Sequence, residues 1–319
     1  VAGRVLESCH IAAGVGVVYI THRLAEIAAL CDRVVGLRDG RNSGALARHE
    51  IDHDAMVGLM VGRELSAARR GPATPGDVAL AVRGLRTTAW PRASVDLTLR
   101  RGEVVGVAGL LGAGRSELLR AVFGVDPRLA GTVEVDGVVV PPGAPAAAVR
   151  AGVALLPEDR KREGLVLGMS VRQNLSLPTL ARRGRLVDRR YERRLAADAI
   201  AELGIACAGP EQPVAALSGG NQQKVVLGKW LAAEPKVLLL DEPTRGVDVA
   251  ARAEIYRRLS ELAARGLAVL FVSSELEEVL LLADRVLVVR DGAVEGELVG
   301  ERRTEAHVMR LATGQGRRP

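Results

Sequence analysis

Ala216-Leu217-Ser218-Gly219-Gly220-Asn221-Gln222-Gln223-Lys224 and, about a dozen residues on, Lys236-Val237-Leu238-Leu239-Leu240-Asp241-Glu242-Pro243 are the stretches that decide how this chain is read. The uncharged run Val237 to Leu240 predicts a buried strand, and it ends in two adjacent carboxylates. That ending suits an ATPase, since the first carboxylate can hold the water shell of a Mg²⁺ ion and the second can polarise an attacking water. Upstream, the Ser-Gly-Gly turn offers a hydroxyl and backbone N–H groups at a helix start, where phosphate oxygens bind well. Taken singly, each piece also reads as a buried strand with an acidic end or an ordinary Gly-rich turn. Their order along one chain favours the chemical reading.

A third stretch lies upstream. Gly102 to Ala108 predicts a strand, which feeds Gly109-Leu110-Leu111-Gly112-Ala113-Gly114-Arg115-Ser116 and a helix over Glu117 to Phe123. In the pattern GxxxxGK followed by Ser or Thr, glycines let backbone N–H groups wrap phosphates, the lysine bridges β and γ oxygens, and the hydroxyl meets Mg²⁺. Arg115 holds the lysine position here; it keeps the charge as a wide planar fork, which favours retained binding with altered hydrolytic geometry.

Together these stretches resemble the nucleotide-binding domain of the ABC transporter ATPases, with Leu217 to Gln222 as the signature and Val237 to Glu242 as the Walker B strand. The resemblance implies an α/β P-loop NTPase fold of the ABC type, with an antiparallel β subdomain and a helical signature subdomain. It implies ATP and Mg²⁺ as cofactors, with Ser116 and Asp241 at the metal and Glu242 as a catalytic residue. Gly109, Gly112, Ala113, Gly114, Arg115, Ser116 and Glu117 would meet the nucleotide from one side, and Ser218, Gly219, Gly220 and Gln222 would supply the signature. Trp90 stands about twenty residues before the phosphate loop, where the family places an aromatic ring on adenine; packing alone is the other reading. Glu158 takes the place of the Q-loop glutamine, where a carboxylate needs Mg²⁺ or Arg160 to Arg162 to neutralise it, unless the stretch is a charged surface loop. Asp248 falls in the D-loop, and Ser274 stands where the family has its switch histidine. Arg115, Glu158 and Ser274 are three departures within one half-site.

The chain also repeats itself. Val17-Val18-Tyr19-Ile20-Thr21-His22 runs on to Asp32-Arg33-Val34 and Arg38-Asp39-Gly40, matched by Val269-Leu270-Phe271-Val272-Ser273-Ser274, Asp284-Arg285-Val286 and Arg290-Asp291-Gly292 at a constant offset of 252 residues. A period of that size exceeds any solenoid repeat and marks a duplicated domain. Residues 1–62 are expected to be the tail of a first nucleotide-binding domain whose front is missing, 63–77 a Pro- and Gly-containing linker, and 78–319 a second, complete domain. Residues 16–21 predict a buried strand ending at His22, and the resemblance gives His22 the catalytic switch role at the γ-phosphate.

Composition sets outer limits. Apolar residues make up 48% of 319, and no run reaches the roughly 18 to 20 uncharged residues of a membrane span. The chain begins at Val1 without initiator Met or leader, reading as a piece of something longer. Cys9, Cys31 and Cys207 are too scattered for a zinc site and read as core thiols in a reducing compartment. The net charge of +6 invites a nucleic-acid reading, but aromatics at 2% leave few stacking platforms. The basic run Arg189, Arg190, Arg193 and Arg194 lies on one helical face, read as a solvated surface, a contact with headgroups or a membrane subunit, or a nucleic-acid patch.

Glu158-Asp159-Arg160-Lys161, the Asn221-Gln222-Gln223 ending of the signature and the fused double domain resemble the ATP-binding subunits of bacterial monosaccharide importers of the ribose, galactose and xylose type. That resemblance implies a peripheral protein on the cytoplasmic face of the plasma membrane, partnered by polytopic permease subunits, a solute-binding protein and the missing first domain, and not by nucleic acid. An importer ATPase for nucleosides or another small solute, a soluble ABC ATPase outside transport, and a catalytically silent interaction module are the competing functions.

Overall fold

The computed structural model describes residues 16–20, 24–38, 41–52, 55–56, 58–59, 75–180 and 187–315. The chain divides into two compact units, Val1–Arg69 with Asp248–Glu254, and Arg70–Val247 with Ile255–Pro319.

In the first unit, helix α1 (Leu24–Leu30) precedes the antiparallel hairpin β1 (Arg33–Arg38) and β2 (Arg41–Ala47). Residues 16–20 were expected to be a buried strand; they form none, and Val18 and Ile20 are 92% and 91% exposed. The run is β-branched, but strand propensity expresses itself only against neighbouring strands, and none among the described residues pairs with it.

The second unit opens with an antiparallel sheet. Its strands β3 (Val78–Thr87), β4 (Val95–Arg100), β6 (Arg128–Val135) and β7 (Val138–Val139) lie in the order β4-β3-β6-β7. β4 alternates buried and exposed along its whole length, as one covered face requires. Asp136 and Gly137, both at positive φ (47° and 76°), make the tight β6–β7 turn.

The second sheet carries β5 (Val104–Ala108), β8 (Val153–Leu156), β9 (Val237–Asp241), β10 (Ala268–Val272), β11 (Arg285–Arg290) and β12 (Ala293–Val299) in the order β12-β11-β5-β10-β9-β8. All neighbours are parallel except β12, which pairs antiparallel with β11 at the edge. Every residue of β5, β8, β9 and β10 is buried, which explains their uncharged runs. Helices α2 (Arg115–Phe123) and α3 (Pro145–Ala151) follow β5 and β7. One core joins both sheets and α2 through Leu80, Leu97, Leu119, Val135, Leu239 and Leu270.

Between β8 and β9 stand α4 (Val171–Leu180), α5 (Arg189–Leu203) and α6 (Gly219–Leu231), in the region expected to be helical. The three pack at close range: a methyl group at Gly228 of α6 would come within 2.8 Å of Leu203 and 2.9 Å of Leu175. Arg172 fastens the cluster by pairing with the buried Glu192, which also accepts from Ser176 Oγ at 2.6 Å, and with Glu211 at 2.7 Å. Arg189, Arg190, Arg193 and Arg194 are all exposed. Helices α7 (Val249–Ala264), α8 (Leu276–Leu282) and α9 (Glu305–Ala312) complete the chain. Cys31 and Cys207 are free thiols, each half-buried rather than in the core; Cys9 lies outside the described residues.

Candidate functional site

The C-terminal ends of parallel strands are where such sheets expose loops to ligands, and here β5, β8, β9 and β10 deliver the candidate residues to that edge. Behind β5, Gly109 passes so close to β11 that a methyl group would stand 2.3 Å from the Val289 carbonyl oxygen. Gly114 caps α2 at φ 99°, a left-handed conformation that glycine adopts freely. Trp90 is half-buried across that glycine: its Nε1 would lie 2.8 Å from a methyl group at Gly114, and its ring also covers Gly292. Ala113 is buried and its carbonyl accepts from Gly292 N–H at 2.9 Å, which ties the loop to the β11–β12 turn. Glu117 lies in the first turn of α2.

Three pairs assemble at the strand ends. Ser116 Oγ donates to Asp241 Oδ1 at 3.0 Å, Ser274 Oγ donates to Glu242 Oε2 at 2.9 Å, and Arg115 Nη1 donates to the Ser273 carbonyl at 2.8 Å. Burial pushes the Asp241 carboxyl up to about 6, the adjacent Glu242 adds to the rise, and the Ser116 hydrogen bond and Arg115 charge oppose it. Glu242 sits at φ 49°, a left-handed conformation that costs energy for a residue with a side chain. Ser116 and Asp241 present oxygens only, the donor set that suits a hard divalent cation, and such a cation would relieve the crowding of Asp241 by Glu242.

Glu158 is exposed and pairs with Arg245, not with the arginines that follow it in sequence. Arg160 reaches the backbone of that same residue, its Nη1 donating to the Arg245 carbonyl at 2.7 Å. Of the neutralising groups weighed for Glu158, Arg160 to Arg162 do not pair with it among the described residues, where Asp159 caps a helical turn over Arg160–Gly164; Arg245 does.

The signature stands apart from this cluster. Ser218 caps α6, its Oγ accepting from Asn221 Nδ2 at 2.9 Å, and Gly219 and Gly220 follow as the first helical residues. Gln222 is buried, and its Nε2 donates to the Val214 carbonyl at 3.1 Å. No hydrogen bond among the described residues links the Ser218 turn to the phosphate loop. Asp248 belongs to the other compact unit, where its Oδ1 accepts from Ala251 N–H at 3.0 Å. His22 lies outside the described residues.

Sequence reading missed the buried brace beneath the strand ends. Glu278 of α8 accepts from Thr244 Oγ1 at 2.7 Å and from Ser273 Oγ, joining the loops after β9 and β10. A glutamate in the first turn of a helix carries no signal of this; only its 3% exposure does.

Residues 93–245 match the ABC transporter family. The chain is 51% identical over 94% of its length to the ribose import ATP-binding protein RbsA 2 of Rubrobacter xylanophilus and 52% identical over 94% to RbsA 1 of Streptomyces avermitilis. It spans 58% of the length of each of these two relatives. Among solved structures, it is similar to a nucleotide-free ATP-binding cassette from an ABC transporter, with a TM-score of 0.62 at 21% identity over 73% of this chain and 96% of that one. It is also similar to an ATP-binding subunit of an ABC transporter, with a TM-score of 0.60 at 24% identity over 75% of this chain and all of the other. At those identities the likeness is one of fold.

Proposed function

We propose that this chain, whose residues 93–245 match the ABC transporter family, is part of an ATP-hydrolysing subunit that energises import of a small sugar through a membrane permease. The observation that carries the reading is the convergence of Ser116, Asp241, Glu242 and Ser274 beside the phosphate loop. Ser116 and Asp241 would hold Mg²⁺, which supplies charge neutralisation for the phosphates when bound. Arg115 and the first amides of α2 would hold the phosphates, and Glu242, steadied by Ser274, would orient the attacking water. The relatives named for ribose import support a sugar as cargo. Within this reading the chain comprises the tail of a first nucleotide-binding domain (1–62), a linker (63–77) and a second domain (78–319). Its partners are permease subunits, a solute-binding protein and the rest of the first domain, at the cytoplasmic face of the membrane. No helix among the described residues is long and apolar enough to cross a membrane. Of the basic residues after β8, Lys161 and Arg162 are exposed and suited to a permease contact, while Arg160 is half-buried against the Arg245 carbonyl.

Titration of the chain with Mg·ATP tests the binding half of this reading. One site per chain is expected, with Ser116→Ala weakening the Mg²⁺-dependent part about tenfold, or about 1.4 kcal/mol. Absence of saturable binding sinks it. We infer that in the assembled transporter the Arg115 site mainly binds ATP, with Glu242 contributing less turnover there, and that most hydrolysis falls to the other site, completed by His22 and the Ser218 turn, because Arg115, Glu158 and Ser274 all depart within one half-site. His22→Ala should then lower steady-state ATPase activity at least about tenfold and Glu242→Gln clearly less. The reverse order would overturn the assignment of the two half-sites.

A further inference from the structure

The charged stretch after β8 is not a free surface loop. Arg160–Gly164 form a single π-helical turn, opened by Asp159 Oδ1 accepting from Lys161 N–H at 3.0 Å and Arg162 N–H at 3.1 Å. Such turns are rare and need outside support. Support comes from both flanks: Glu163 pairs with Arg120 of α2 at 2.8 Å, and the Gly164 carbonyl accepts from Lys229 Nζ of α6. The turn is thereby fixed to the phosphate-loop helix and to the signature helix.

Arg160 extends from this anchored turn into a third element. Its Nη1 donates to the Arg245 carbonyl at 2.7 Å and its Nη2 lies 3.4 Å from the Gly246 carbonyl oxygen. The same Nη2 presses on the start of α6, where a methyl group at Gly219 would stand 2.7 Å from it and 2.9 Å from the Gly246 oxygen. Glycine is needed at 219 because backbone and guanidinium both close on that spot. Among the described residues only neutral carbonyls accept from the guanidinium and its Nε has no hydrogen-bond partner; burial lowers its pKa, with Asp159 opposing. A cation so placed is held chiefly by hydrogen bonds to the two carbonyls, with Asp159 as a nearby counter-charge.

We propose that Arg160 is a positioning residue that clamps the Arg245–Gly246 turn onto the first residue of α6, so that the loop after β8, the turn after β9 and the Ser218 turn move as one body. Its meaning for catalysis rests on the function proposed above: Glu158 and Arg160 tie the loop after β8 to the Arg245–Gly246 turn at two points, and Arg160 carries that tie on to the Ser218 turn.

Amide hydrogen exchange on the 319-residue chain without nucleotide reads the clamp directly. Arg160→Met should speed exchange in 216–222 and 244–247 together by at least about tenfold, a local opening about 1.4 kcal/mol easier, while 109–118 is unchanged. Arg160→Lys, with one ammonium in place of a fork, should recover only part of the protection. Gly219→Ala should loosen both segments with Arg160 intact, by forcing the contact apart from the other side. With Mg·ATP added, Arg160→Met should keep wild-type affinity within about twofold yet lose any nucleotide response in 216–222. Exchange in both segments at the wild-type rate in Arg160→Met, or loosening of the whole chain at once, overturns the proposal. A wild-type chain that binds no ATP would remove the functional reading and leave the clamp to be decided by the nucleotide-free exchange.

Discussion

Residues 16–50 and 268–302 are two versions of one pattern, and they share local geometry while differing in burial. Helix α1, strands β1 and β2 and the short helical turn Arg48–Glu50 fall at the positions of α8, β11, β12 and Gly300–Arg302, each displaced by the same 252 residues. Even the irregularity in the hairpin is shared, between Gly36 and Leu37 in one and Val288 and Val289 in the other. In both, a glycine of the second strand, Gly44 or Gly296, lies under a leucine, Leu59 or Leu311. Yet Leu37 is 72% exposed and Val289 is 1% exposed. β11 is laid against β5, whereas among the described residues β1 pairs with β2 alone. Hairpin register follows from the local sequence, and burial follows from the neighbouring strand.

The contrast shows most visibly in the segment that precedes each helix. Phe271 is fully buried in β10 and its counterpart Tyr19 is exposed enough for its hydroxyl to reach Glu26 at 2.6 Å. Phe271→Ala should cost about 3 to 5 kcal/mol in denaturant unfolding and Tyr19→Ala less than about 1 kcal/mol. Equal losses would mean that the two copies are packed alike.

Next in size is the helix glutamate. Glu278→Ala removes the acceptor shared by Thr244 and Ser273 and should cost about 2 kcal/mol, while Glu26→Ala, at the equivalent half-buried position, should stay within about 0.5 kcal/mol. Matching effects in a thermal melt would contradict the brace.

A titration sharpens the same contrast, since Lys229 belongs to a helix with no equivalent among the described residues of the first unit. Burial lowers its pKa to about 8. Between that value and the ordinary 10.5 the unfolded chain holds the proton and the folded chain does not, so stability rises with pH across that window. Lys229→Met should gain about 1 to 2 kcal/mol at pH 7, after the lost bond to the Gly164 carbonyl, and flatten the rise above pH 8. A variant that keeps the slope would place its origin elsewhere. The smallest effect is expected at Ile20, where replacement by Ser should change unfolding by no more than about 0.5 kcal/mol. A larger loss would show that this stretch is covered in solution.

The strand of Val237 to Asp241, the glycine loop before Arg115 and the cap at Ser218 were legible in the residues, because each is specified by neighbours a few positions away: an uncharged run, glycines where φ is positive, a hydroxyl at a helix start. Glu158 and Arg245, Arg160 and Gly246, and Glu278 and Thr244 were not, since these partners lie 34 to 87 residues apart and no local pattern pairs them. The same limit explains residues 16–20, read as a buried strand on composition although a strand needs a sheet to join. Sequence alone determined the fold class, the repeat and the inventory of chemical groups, all properties of short-range pattern. The tertiary structure alone decided which of those groups meet, which copy is buried and which arginine acts as a clamp, because burial and pairing depend on strands and loops that the chain brings together from a distance.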